Sequence, residues 1–148
     1  MPNVRSLLAL ITRAHRTLYR LSGGRVGGNL TGIRVLLLTT TGRRSGLERV
    51  APLLYVEAEK GFVVVASNAG DDRDPAWWRN LESRPEAIVQ AGRESFAVRA
   101  RRAASDEEAV LWPLLVAAYR PYARYRERTR RAIPVVILER SGAGLGGS

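Results

Sequence analysis

The sequence predicts a mainly β, α+β fold: a small six-stranded barrel with N-terminal, middle and C-terminal helices. Three observations carry this. Six apolar, β-branched segments are separated mostly by short glycine-bearing turns, the pattern of hairpins. There is no strand-helix-strand alternation and no GxGxxG between a strand and a helix, which argues against a dinucleotide-binding sheet. Strands of this number and twist close most easily into a barrel, which removes their unpaired edges.

Ser6 caps a first helix that reaches about residue 21. Leu7, Ile11, Ala14, Leu18 and Leu21 recur at helical spacing, while Arg13, Arg16 and Arg20 line another face. Such a helix either lies on anionic lipid or packs its apolar stripe on the domain. Gly23-Gly24 and Gly27-Gly28 end it, so 1–32 reads as an amphipathic helix and a glycine-rich lead-in. The barrel is expected over 33–140, and 141–148 is a flexible glycine tail of the same single domain.

Within the barrel, 33–40 (IRVLLLTT) is a buried strand and 42–46 (GRRSG) a turn with glycine at both ends. Residues 49–57 (RVAPLLYVE) form a second strand, where Pro52 demands an edge or a bulge. Lys60-Gly61 turns into a third, 62–66, completing an antiparallel meander. Asp74 before Pro75 reads as an N-cap and first helical residue, opening a short helix over 76–83 that Arg84-Pro85 stops. Residues 86–91 and 94–103 form a hairpin about Gly92-Arg93. Ser105-Asp106-Glu107-Glu108 reads as a capping box for a helix to about Tyr119, with a kink expected at Pro113. Residues 122–131 are a polar, aromatic helix, and 133–139 (IPVVILE) is the last strand.

Composition narrows the chemistry. The 148 residues are 45% apolar, enough for one ordinary core. Without cysteine there are no disulfides and no thiolate metal sites, and His15 alone makes neither a histidine metal cluster nor a Ser-His-Asp triad. Catalysis must then use carboxylates, hydroxyls, backbone donors or a bound cofactor. The net charge is +10, and Lys60 is the one cation among 24 that is not arginine. Arginine forks suit phosphate and carboxylate, although most such side chains on any protein simply face water. The stretch 7–11 is short for a signal core, Arg13 interrupts it, and no run reaches transmembrane length. The expected location is cytoplasmic, with contact to the inner face of the membrane through the first helix as an option.

Five groups of residues stand out. Arg43, Arg44 and Ser45 sit on the glycine-flanked turn with Arg49 close behind, either an anion site or an ordinary exposed turn. Ser67, Asn68, Ala69 and Gly70 follow a buried strand; their small side chains admit a flat ligand to the backbone, or merely lead into the helix. Asp71, Asp72 and Asp74 lack the closing glutamate of a calcium loop, so solvation and capping explain them. Trp77 and Trp78 project about 100° apart on their helix, so one enters the core and the other is free to border a cavity. Tyr119, Tyr122 and Tyr125 recur every third residue, which gathers three phenols near one helical face. Arginines at 120, 124, 126, 128, 130 and 131 surround them, so an RNA-binding helix with stacking aromatics is a rival reading.

The segments LLLTTTGRRSGLERVAPLLY (36–55), VVVASNAGDDRDPAWWRNLESRP (63–85) and WPLLVAAYRPYARYRERTRRAIPVVILE (112–139), in this order, resemble the deazaflavin (coenzyme F420)-dependent nitroreductase family. The resemblance implies a split β-barrel of the FMN-binding, pyridoxamine phosphate oxidase-like kind. It implies that Arg43, Arg44, Ser45 and Arg49 line a groove for the coenzyme's phosphate and glutamate tail. Pro52, Ser67, Asn68, Ala69, Gly70, Ala76 and Trp77 would border the deazaflavin, while Leu54, Tyr119, Tyr122 and Tyr125 line the acceptor side. FMN is the alternative cofactor. Asn68 stands where relatives often carry lysine, which removes a positive charge. Leu54 stands where nitroimidazole-reducing relatives carry tyrosine, which argues against that particular activity.

The implied activity is hydride transfer from reduced F420 to an electron-poor small molecule: a quinone, an enone or a nitroaromatic. A hydride-donating coenzyme asks little acid-base chemistry of the protein, which suits a chain with one histidine. Ser67 with Tyr122 or Tyr125 would hydrogen-bond the acceptor oxygen as charge develops on it. A barrel that binds the coenzyme or a lipid without turnover is the alternative from another class. Nucleic acid is not an expected partner, because the arginines accompany no RNA-binding motif.

Overall fold

The computed structural model describes residues 34–59 and 61–141. The helix expected near the N-terminus, the glycine-rich lead-in and the 142–148 part of the tail lie outside these residues. The described chain forms β1 (Val35–Thr41), β2 (Glu48–Leu54), β3 (Val56–Ala58), β4 (Gly61–Val65), β5 (Glu86–Ala91), β6 (Glu94–Arg102) and β7 (Val135–Arg140). The helices are α1 (Ala76–Ser83), α2 (Ser105–Ala118) and α3 (Pro121–Arg128), with a single 3-10 turn at Asn68–Gly70.

All strand pairs are antiparallel, in the order β2-β1-β5-β6-β7-β4-β3. Seven strands stand where six were expected, because the predicted second strand breaks at Tyr55. Its first half pairs with β1 and its second with β4. The expected meander holds through that bend, since 49–57 pairs with the strand before it as β2 and with the strand after it as β3, and β4 also joins β7. The two ends of the strand order are thus consecutive in the chain, and the sheet curls so that one bent segment serves both edges. The Tyr55 N–H donates to the Arg34 carbonyl at 3.1 Å, which holds the bend. Pro52 sits on the outer strand β2, opposite Leu37, where a missing donor is tolerated.

Alternation along the strands divides the core. Leu36, Leu38, Phe62, Val64, Val89, Val98, Val136 and Leu138 pack inside the curl with Trp77, Trp78 and Leu81 of α1. Val63, Val65, Val135 and Ile137 face the other way, under Leu115 of α2 and Tyr122 of α3. β4 is therefore buried on both faces, as its unbroken apolar run suggests. Gly61 is required there: a Cβ would stand 1.9 Å from the Leu138 carbonyl oxygen of β7.

The helix starts differ from expectation. Pro75 is the N-cap of α1, and Asp74 makes no capping bond, because its carboxylate is taken by Arg131. Ala104, not Ser105, caps α2; the Glu107 carboxylate accepts from the Ala104 N–H at 2.9 Å. Alanine has no side-chain acceptor, so only half of a capping box exists. The helix runs on through Pro113. Residues 119–120 then break the path, and α3 starts at Pro121 and ends at Arg128 rather than Arg131.

Candidate functional site

A groove runs beside β2, walled by two loops and a cluster of tyrosines. At one end the 42–47 turn is closed by the Gly46 N–H to Gly42 and the Gly42 N–H to Leu47, both 2.8 Å. Gly46 has φ +72°, the left-handed conformation glycine adopts without penalty. Ser45 Oγ accepts from the Leu47 N–H at 3.1 Å, so this hydroxyl shapes the turn. The buried Asn80 of α1 joins the turn to the helix. Its Oδ1 accepts from the Arg43 N–H and its Nδ2 donates to Thr40 Oγ1, both at 3.1 Å. Arg43, Arg44 and Arg49 are exposed, and none has an ion-pair partner among the described residues. Together with Ser45, Ala76, Trp77 and Asn80 they line a cavity of about 350 Å³.

The second wall is the 66–74 loop. Asn68 and Ala69 have φ of 47° and 54°, and Asn68 Nδ2 is committed to the Arg73 carbonyl at 3.0 Å. Gly70, at φ +81°, brings the loop against α3: a Cβ would meet Tyr125 Cα at 3.2 Å. Gly70 thus shapes the wall without lining a cavity, whereas Ser67, Asn68 and Ala69 line a second one. Ser67 is 9% exposed, and its hydroxyl has no partner among the described residues.

The tyrosines form the third wall. They gather although Tyr119 ends α2 and the other two belong to α3, so the break between the helices, not one helical face, brings them together. Ring centroids of Tyr119 and Tyr122 are 4.9 Å apart, and Tyr125 lies 6.3 and 6.4 Å from these two. The Tyr119 and Tyr125 hydroxyls share a hydrogen bond at 3.3 Å. That bond, then burial, raises the Tyr119 pKa. Tyr122 is buried, without a hydroxyl partner among the described residues. Burial first, then its two tyrosine neighbours, pushes its phenol well above the ordinary value, so it stays protonated.

These walls enclose a second cavity of about 470 Å³, reaching from Pro52 and Leu54 to Ser67, Trp77 and the three tyrosines. Trp77, Val50 and Ala51 line both cavities, so the groove is continuous from the arginines to the phenols. Trp78 packs in the core alone. A smaller hollow of about 240 Å³ continues past Leu54, Tyr119 and Tyr122 toward Arg34, Tyr55 and Glu57.

All fifteen residues singled out from the sequence therefore lie in or directly behind one groove. The sequence reading missed two residues. Asn80 had no signal beyond being a polar residue on an apolar helix face. Arg131 was grouped with solvent-facing arginines, yet its guanidinium turns inward onto the 66–74 loop. The aspartates of that loop are accordingly not mere solvation: Asp74 pairs with Arg131 at 2.9 Å and Asp72 accepts from Thr129 Oγ1 at 2.9 Å. The tyrosine rings pack on one another and on the cavity instead of offering a stacking face, and Arg126 lies over Trp112 and near Glu108. No described helix is long and apolar enough to cross a membrane.

Comparison with known proteins agrees with this geometry. Residues 11–140 match the model of the F420H(2)-dependent quinone reductase family. The F420H(2)-dependent quinone reductase Rv1261c of Mycobacterium tuberculosis is 36% identical over 135 residues, spanning 88% of this chain and 90% of that protein. The solved structure of an F420-H2 dependent reductase, FDR-A, is 40% identical with a TM-score of 0.66, covering 71% of this chain and 93% of that one. Another, described as a domain-swapped dimer, is 37% identical with a TM-score of 0.68, covering 86% and 96%.

Proposed function

The chain belongs to the F420H(2)-dependent quinone reductase family, and on that premise we propose that its groove holds coenzyme F420 at the arginine end and reduces a quinone at the tyrosine end. F420, not FMN, is the family's coenzyme, and in its reduced form it supplies a hydride. The donor set fits such a molecule. Three guanidinium groups without ion-pair partners among the described residues suit an anionic tail, and the apolar flank of Trp77 beside the small 67–69 loop suits flat rings.

Arg43, Arg44 and Arg49 bind the charged tail, with Ser45 and Asn80 holding the turn that carries them. Pro52, Ala76, Trp77 and the backbone of Ser67–Ala69 border the rings; Asn68, its side chain already engaged, keeps the loop in shape. On the acceptor side, Leu54 and the tyrosine rings exclude water. The observation that carries the reading is the pair of buried hydroxyls, Ser67 and Tyr122, on one cavity, neither with a partner among the described residues. Among the described residues neither donor has an acceptor, and burial makes a hydrogen bond to an arriving acceptor oxygen worth more than in water. Tyr122 holds its proton firmly, as a donor to a developing oxyanion must. Tyr125 is the weaker choice because its hydroxyl is shared with Tyr119.

The test is a fluorescence titration of the purified chain with oxidised F420 against FMN, followed by oxidation of reduced F420 with menadione, an enone and a nitroaromatic. Preference for F420 and fastest turnover of menadione are expected. Binding without oxidation of any acceptor would leave a carrier, and preference for FMN would overturn the cofactor assignment.

A further inference from the structure

We propose that Arg131 is a positioning residue for the coenzyme: it holds the 66–74 loop in the shape that presents Ser67, Asn68 and Ala69 to the cavity. This rests on the F420 reading given above. Arg131 does not line the groove itself. Its Nη2 donates to the carbonyls of Ala66 and Ser67 at 3.1 and 2.8 Å, and its Nε to that of Asp71 at 2.8 Å. Its Nη1 meets Asp74 Oδ1 at 2.9 Å. One planar group, with its side chain only 15% exposed, thus ties both ends of the loop around Asn68–Gly70.

The loop needs such a tie. Asn68 and Ala69 both occupy left-handed backbone, a conformation that non-glycine residues keep only where their surroundings hold them. The same carbonyl of Ser67 also accepts from the Gly70 N–H at 2.9 Å, so Arg131 sits on the bond that closes the turn. A lysine cannot replace it, because a single ammonium cannot reach three carbonyls and a carboxylate set around a planar fork.

A double-mutant cycle tests the assignment. With oxidised F420 as the probe, Arg131→Lys in the full chain is expected to bind about tenfold more weakly, the scale of a modest displacement of a binding wall. If Arg131 acts by holding the left-handed loop, that loss shrinks in an Ala69→Gly background, where the same backbone carries no strain. Asp74→Asn, which leaves the three carbonyl bonds in place, is expected to lose about fivefold at most. Hydrogen exchange of the wild-type chain should show the 68–70 amides gaining protection when F420 binds. A folded Arg131→Lys with wild-type affinity, additive losses in the cycle, an Asp74→Asn loss as large as that of Arg131→Lys, or no protection of those amides would each overturn the assignment. If the wild-type chain itself does not bind F420, the functional reading falls and takes this one with it; the other outcomes overturn the positioning role alone.

Discussion

Trp77 and Trp78 offer a controlled comparison, because the two rings are neighbours in sequence and equally buried, at 9% and 7% exposure. Both belong to the core inside the curl, but only Trp77 also lines the groove. Truncating a buried tryptophan to alanine costs about 3–5 kcal/mol. Leucine regains part of that, since burying a leucine contributes about 1.5–3 kcal/mol. Trp77→Leu and Trp78→Leu should therefore each lose about 2 kcal/mol, a fall in Tm of roughly 4–8 °C for a chain of this size. Their affinities for F420 should separate. Loss of an aromatic face beside a flat ligand is expected to weaken binding on the order of tenfold in Trp77→Leu, while Trp78→Leu stays near wild type. Differential scanning fluorimetry and a coenzyme fluorescence titration at a temperature where all three proteins are folded read the two quantities. Equal affinity losses in the two variants, or an unchanged affinity in Trp77→Leu, would refute the placement of Trp77 on the coenzyme wall.

Three further predictions follow from the same geometry. Arg43→Ala combined with Arg44→Ala should weaken F420 binding on the order of tenfold with little change in kcat, and leave the remaining affinity less sensitive to salt. A fall in kcat as large as that in affinity would count against a tail-binding role. Tyr122→Phe removes a buried hydroxyl without a partner among the described residues, so Tm should hold or rise slightly while menadione turnover falls on the order of a hundredfold. Because the folded phenol is raised above its ordinary 10.0, wild type should also lose stability above that pH as the unfolded chain ionises first, and Tyr122→Phe should lose less. Glu107 is held down to about 2, first by the Arg101 guanidinium and then by the Ala104 N–H. Its contribution is present above the unfolded value of 4.5 and lost as pH falls through about 2. The Tm gap between wild type and Glu107→Gln, read by circular dichroism, should close over that range; a gap that persists at lower pH would mean the carboxylate charge is not what stabilises α2.

Much of the groove was legible because its features are local. Gly42 and Gly46 bracket a turn, and small residues after a buried strand announce a close approach. Tyrosines three apart stay near one another even where the helix breaks between them. Strand identity was equally local, since 61–65 and 135–138 are short apolar runs of the kind a doubly covered strand accommodates. The errors arose where a residue's partner is remote. Asp74 before Pro75 is a good N-cap by local rules, but Arg131, 57 positions away, takes its carboxylate. Residues 49–57 look like one strand, but they exchange β1 for β4 as partner at Tyr55, and no local pattern encodes that exchange. Arg131 among its neighbours has no distinguishing mark at all.

Residue chemistry along the chain was thus enough to point to a curled antiparallel sheet with a cationic turn, a small-residue loop and a phenol cluster, and to exclude thiol chemistry and a histidine triad. Glycine positions, β-branched runs and the resident side-chain types act over a few residues, so the sequence expresses them directly. That the three features face one groove, that Trp77 joins its two halves while Trp78 does not, and that one arginine turns inward to hold the loop depend on which strands pair around the curl. Those pairings are long-range, and their geometry exists only once the sheet has closed on its own core.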